Sequence, residues 1–132
     1  MTLATLSYTL ATLIKGNWTH GPIAYPNRQF SPPKNATWLR YSTTFGNTYE
    51  AEKGDDGLGM RIGTLHLQLF TSINTGNRVG LGYSDELEGI FRRYSIDGLW
   101  FGEPTTYEIG NEPGGYYQIN INVPFTVWVG ES

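Results

Sequence analysis

The stretch Tyr116-Tyr117-Gln118-Ile119-Asn120-Ile121-Asn122-Val123-Pro124-Phe125-Thr126-Val127 decides the fold class. Its odd positions are Tyr117, Ile119, Ile121, Val123, Phe125 and Val127, and its even positions are mostly Gln, Asn, Pro and Thr. A period of two sends successive side chains to opposite faces of a strand, so one face is buried and the other wet. A slip of one residue would turn the whole apolar row into water. At ~1.5–3 kcal/mol per buried side chain, that pins the register. The run carries no nucleophile, base or metal ligand, so the best-defined segment of the chain is architectural.

Working outward, Pro113-Gly114-Gly115 makes the turn into this strand, and Leu99 to Phe101 and Thr105 to Ile109 read as short strands around Pro104. Met60 to Thr71 alternates again, with Leu65, Leu67 and Leu69 against Thr64, His66 and Gln68. Trp38 to Phe45 alternates more loosely, with Leu39, Tyr41 and Phe45 on one side. The stretch Gly21 to Lys34 holds Pro22, Pro26, Pro32 and Pro33, which keep it extended around a short strand at Ile23 to Tyr25. Gly46 to Gly59 is polar, acidic and glycine-rich and reads as a long loop or hairpin tip.

Two stretches carry helical spacing instead. Leu3, Leu6, Leu10, Leu13 and Ile14 recur every three or four residues and predict an amphipathic helix of about four turns, ended by Gly16 and Asn17. Val79, Tyr83, Leu87, Ile90, Phe91 and Tyr94 predict a second. Gly80 and Gly82 weaken its beginning by roughly 1 kcal/mol each, which puts its firm start at Ser84, an N-cap followed by Asp85 and Glu86. The order helix, strands, helix, strands predicts one α+β domain over 1–132, an antiparallel sheet covered on one face by two helices.

Composition narrows the function classes. A chain of 132 residues suits one core. Hydrophobic residues at 39% against 16% charged are the reverse of a disordered composition. The absence of cysteine excludes disulfides, thiolate catalysis and cysteine-ligated zinc. The N-terminus lacks a basic region ahead of its apolar residues, and no run reaches the ~20 apolar residues of a membrane span, so neither a signal peptide nor a membrane partner is expected. The Asn-x-Thr sequons at Asn17 and Asn35 carry no meaning without secretion. A net charge of −3 lacks the basic footprint of a nucleic-acid binder.

Candidate chemistry is sparse. Glu50, Glu52, Asp55 and Asp56 cluster in the Gly46–Gly59 segment. Paired carboxylates can hydrolyse glycosides or bind calcium, but Lys53-Gly54-Asp55-Asp56-Gly57 lacks the alternating acids and distant glutamate of a calcium loop. A solvated or partner-facing loop accounts for them better. His66 lies on the polar side of a strand and His20 in a Gly/Pro-rich segment, both placed as surface residues rather than ligands. Gly76, Gly80 and Gly82 are not followed by Lys-Ser/Thr and lack dinucleotide spacing. Ser84 lacks the second glycine of a nucleophile elbow. Arg92-Arg93 complements a helix C-terminus. Trp18, Trp38, Trp100 and Trp128 could line a sugar groove, but a core edge or subunit interface is the commoner use of such residues. No catalytic, cofactor-binding or metal-binding residue is assigned.

In order along the chain stand Ala24-Tyr25-Pro26-Asn27, Phe30-Ser31-Pro32-Pro33, Trp38-Leu39-Arg40, Arg61-Ile62-Gly63 and Leu67-Gln68-Leu69-Phe70. Thr75-Gly76 leads into the Asp85–Phe91 helix, and Phe101-Gly102-Glu103-Pro104 precedes the final strand. With the leucine-patterned N-terminal helix, this series resembles the tail-terminator-like proteins of long-tailed bacteriophages and prophages over nearly the whole chain. Gly80-Leu81-Gly82 departs from the family pattern, whose helix is usually richer in Ala. The resemblance implies a structural virion protein of the tail, assembled in the host cytoplasm, with no catalysis and no cofactor. It implies self-association into a homohexameric ring that caps the tail-tube protein, stops tube growth and meets the head-connector protein. DNA would pass through such a ring without specific binding. Another phage ring component, a head–tail connector or tail-tube subunit, is the alternative. A small carbohydrate-binding domain is a further one, which the two helical stripes oppose.

Overall fold

A computed structural model describes residues 1–50 and 59–129. Its elements run α1 (Leu3–Asn17), β1 (Ile23–Ala24), β2 (Trp38–Glu50), β3 (Gly59–Ser72), α2 (Arg78–Phe91), β4 (Ser95–Ile96), β5 (Leu99–Phe101), β6 (Thr105–Glu112) and β7 (Tyr116–Val129). In the seven-stranded sheet, β1-β2-β3-β7-β5-β4 lie side by side, with β6 also pairing β7. The pairs are antiparallel except β1–β2. This is the α+β class expected from the order of periodicities.

The final strand organises the sheet. One edge of β7 pairs β3 over its full length, from Ser72↔Tyr116 to Gly59↔Val129. The other edge is shared, with β6 along Tyr116–Asn122 and β5 along Phe125–Val127. Pro124 stands where the partner changes. It lacks a ladder donor, so the gap between β6 and β5 leaves no bond unmade there. Its carbonyl still accepts from Gly102 N–H at 2.8 Å.

Both helices lie on one face. In α1 the side chain of Thr2 accepts from Thr5 N–H at 3.1 Å, and Leu6, Leu10 and Ile14 form the buried stripe. Of the rest of the expected stripe, Leu13 is half-buried at its margin and Leu3 is exposed. Leu87 and Phe91 of α2 join them over Leu39, Tyr41, Leu65, Leu67, Leu69, Ile119, Ile121, Val123, Phe125 and Val127. The odd-numbered apolar row of β7 is thus the floor of the core, with Tyr117 only half-buried at its end.

Four expectations require correction. First, Gly46–Glu50 is strand. After a register shift between Phe45 and Thr48, pairing resumes as Thr48↔Arg61, Tyr49↔Met60 and Glu50↔Gly59. Ladder bonds to a long β3 outweigh the weak strand propensity of Gly46-Asn47, which falls at the shift. Glu50 thus ends β2, whereas Glu52, Asp55 and Asp56 lie outside the described residues.

Second, α2 begins at Arg78, and Ser84 is buried within it, its Oγ donating to Gly80 O at 3.0 Å. Gly80 is a packing residue rather than a breaker. A Cβ there would stand 2.8 Å from Ile119 Cδ1, so the helix approaches the sheet as only glycine allows. The buried stripe is Gly80, Ser84, Leu87 and Phe91, rotated from the one expected, and Val79 is exposed. Third, β4 was not anticipated, and β6 extends past Ile109 to Glu112 across a register shift. The tight turn into β5 uses positive φ at Asp97 (49°) and Gly98 (82°). Fourth, the even face of β7 is not wholly wet, because Tyr116 and Gln118 are buried on it.

Candidate functional site

The face of the sheet opposite the helices carries the even-numbered residues of β3 and β7, and among the described residues no helix covers it. Strand alternation therefore sorts its chemistry into three zones along the strands.

The middle is polar. Asn122 Nδ2 donates to the Tyr107 hydroxyl. Its Oδ1 stands 3.0 Å from His66 Nδ1, and His66 Nε2 stands 2.9 Å from Thr44 Oγ1. With Asn122 Oδ1 as acceptor, Nδ1 carries the proton and Nε2 accepts the threonine hydroxyl. The file crosses β2, β3, β7 and β6 and leaves His66 with both nitrogens engaged, in agreement with its reading as a surface residue. His20 lies elsewhere, stacked on Tyr83 with centroids 4.1 Å apart and paired with Glu86 at 2.9 Å.

One end is aromatic. Trp38 and Phe70 stack at 4.0 Å, Phe30 stacks on Trp38 at 5.0 Å, and Tyr116 meets both edge-on. With Ala24 these form a second buried cluster, held under the 25–37 segment by the Tyr116 hydroxyl, which donates to Pro33 O. Arg40 lies across it, its guanidinium carbon 5.1 Å from the Trp38 ring and 5.9 Å from the Phe70 ring. Trp38 Nε1 is buried with no hydrogen-bond partner among the described residues. A groove of about 500 Å³ runs here between Pro32, Arg40, Gln68, Glu112 and Gln118.

The hairpin end is apolar and open. Ile62, Thr126 and Trp100 align across β3, β7 and β5, and Ile62 and Trp100 are 43% and 42% exposed. A second groove of about 500 Å³ is lined there by Thr44, Ile62, Pro124 and Thr126.

The four tryptophans do not share one sugar-binding groove. Trp18 is in the core under the helices, Trp38 is buried on the opposite face, and Trp100 and Trp128 stand together 6.3 Å apart at the other end. Arg92 and Arg93 are held by Glu88 and Glu103. Among the described residues no group of three or more His, Cys, Asp or Glu could hold a metal, and no helix is long and apolar enough to cross a membrane. Sequence reading missed the Arg40 box and the Ile62–Trp100 row. The available signal was large apolar residues at even strand positions, on the side the alternation assigns to water.

The profile of the phage tail terminator protein family matches residues 3–125. No curated protein matches the chain. A solved structure of 18% sequence identity superposes with a TM-score of 0.67, covering 98% of this chain and 94% of that one, which shows a shared fold. The chain belongs to the phage tail terminator family, and it is a structural component of a phage tail.

Proposed function

We propose that this protein closes the phage tail tube as a homohexameric ring, ends tube polymerisation and forms the joint to the head. Family membership carries this reading. The uncovered sheet face supports it, since Ile62, Trp100 and Tyr107 are each more than 40% exposed there and a neighbouring subunit or the tube would bury them. The partners are other copies of the chain, the tail-tube protein and the head-connector protein. A net charge of −3 suits a channel through which DNA slides without being gripped. The protein acts without catalysis or cofactor, assembling in the host cytoplasm and remaining in the virion tail. The acidic residues Glu50, Glu52, Asp55 and Asp56 face a partner.

Electron microscopy of lysates lacking the protein, with light scattering of the purified chain alone and with tail tubes, tests this reading. Overlong or unjoined tails together with a hexamer, free or on tubes, are expected. Normal-length tails beside unattached heads would assign a connector role instead, and a chain that stays monomeric on tubes would overturn the ring.

A further inference from the structure

The sheet has two long edges that its own strands leave open. On one side, β1 covers β2 only at Leu39 and Arg40, and beyond them nothing among the described residues pairs the outer edge of β2. On the other side, β6 pairs β7 along one edge and, among the described residues, nothing along the other. β3 and β7 lie between β2 and β6, so one chain cannot join its own two edges. Open edges are normally blunted by lysine, proline or bulges. From Tyr41 to Tyr49 there is no charged residue and no proline, and β2 stays regular as far as Phe45. β6 holds no lysine, arginine or proline and is regular from Thr105 to Glu108. Phe45 on one edge and Tyr107 on the other are each 43% exposed.

The directions of the open backbone groups agree. Alternate residues of a strand aim their N–H and C=O to the same side. Leu39 N–H donates outward to Pro22 O at 3.0 Å, so the groups of Thr43 and Phe45 also point away from β3. Pro124 O accepts from Gly102 N–H, so even residues of β7 face β6 and β5 while odd ones face β3. Thr106 and Glu108 stand opposite Ile121 and Ile119, and their groups therefore point away from β7. Thr43 and Phe45 share a face with Leu39 and Tyr41, and Thr106 and Glu108 share one with Ile121 and Ile119, in both cases the face under the helices. The steps β2–β3, β3–β7 and β7–β6 are all antiparallel, so β2 and β6 run in opposite directions.

We propose that β6 of a second copy of this chain adds antiparallel to the outer edge of β2, with Glu108 opposite Thr43 and Thr106 opposite Phe45. Each of these pairs exchanges two N–H···O bonds, and both faces of the sheet continue from one copy into the next. The register is fixed from both sides. A shift of two residues one way puts Glu108 opposite Tyr41, beside the edge that β1 already holds. The same shift the other way puts Thr106 opposite Asn47, inside the irregular step of β2. In the remaining register Thr44 meets Tyr107 of the second copy, so the polar file that begins at Thr44 and ends at Tyr107 runs on across the contact. Each copy offers a different edge to each neighbour, and such a heterologous contact closes into a ring when its rotation divides the circle. The proposal rests on the ring reading above and names the contact within it.

The chain has no cysteine, so cysteine pairs placed in the full-length protein test the contact directly. Thr44 and Tyr107 would form a non-hydrogen-bonded pair, whose Cα separation of about 4.5 Å suits a disulfide. Oxidising the Thr44→Cys, Tyr107→Cys double variant, free or on tail tubes, is expected to give a ladder of covalent multimers on a non-reducing gel. A mixture of the two single variants should stop at dimers, and each single variant alone should give none. Thr43→Pro removes an outward N–H that nothing described accepts, and should weaken association by more than about tenfold in light scattering with little change in melting. Should that variant melt far below wild type, the cysteine pair decides, since it leaves the backbone intact. A double variant that forms the wild-type oligomer but no cross-link overturns the proposal and leaves the ring reading standing. Dimers from one single variant alone would mean that an edge pairs with its own copy about a two-fold axis, and equally overturn it. A wild-type chain that stays monomeric even on tubes removes the ring reading and the proposal with it.

Discussion

The two faces of the sheet are built from the same strands and serve opposite ends. The covered face is Leu, Ile, Val and Phe with Tyr41 among them, sealed by two helices, and its central residues are fully buried. The open face changes along its length, from an aromatic box under Arg40, through the Thr44–His66–Asn122–Tyr107 file, to the exposed Ile62–Thr126–Trp100 row. A face that only had to be wet would be polar from end to end. The covered face satisfies itself within one chain, and the open face is the one left to the partners proposed above.

Removing a side chain from each side of one strand breaks this comparison most directly. Ile121→Ala opens a cavity in the fully buried row and should lose ~2–5 kcal/mol in a urea titration. Asn120→Ala, its neighbour on the open face, should stay within about 1 kcal/mol of wild type. Equal losses would show that both faces are core.

The helix-to-sheet contact offers a smaller effect. Gly80→Val drives a side chain towards Ile119 and should lose about 1–3 kcal/mol by thermal melting. A Cβ at Gly82 meets nothing within 4 Å, so Gly82→Ala should gain up to about 1 kcal/mol from helix propensity. Opposite signs for two glycines so close in one helix would sharpen the case that α2 is placed by close approach. The same sign at both would remove it.

On the open face, Ile62→Ser should leave stability within about 0.5 kcal/mol, because the residue is 43% exposed in the free chain. The variant should nevertheless fail to join tails in a complementation assay. Full infectivity would mean that this row meets no partner.

The smallest effect appears only in alkali. Burial, with a lesser contribution from Tyr25, holds the Tyr41 phenol above its ordinary value of 10.0. A phenol raised in the fold stabilises it fully below pH 10, and that contribution is lost as pH rises through the folded value. Melts between pH 8 and 11 should therefore fall more steeply for wild type than for Tyr41→Phe. Superimposable curves would mean that Tyr41 is solvated in solution.

Much of the fold was legible because burial on one face leaves a periodic trace. Leu6, Leu10 and Ile14 give α1, and the alternations around Leu67 and Ile121 give β3 and β7. The start of α2 was not legible. Gly80 has the composition of a breaker, and its value as a packing residue exists only with Ile119 beside it. The extension of β2 to Glu50 was hidden for a related reason, since its stability comes from ladder bonds to β3 rather than from its own residues. Of the candidate site, the acidic cluster stood out as a charge run, whereas Arg40, Trp38, Phe70 and Tyr116 lie far apart in the chain and form a box only after three strands align.

The sequence by itself determined the α+β class, the strand at the centre of the sheet and the residues that face the helices. These follow from the local periods of two and 3.6, which the chain carries before it folds. Only the tertiary structure decided which glycine is a contact, where the second aromatic cluster sits, and that Arg40 lies across it. Those properties depend on distances between residues remote in sequence, and no local pattern encodes a distance.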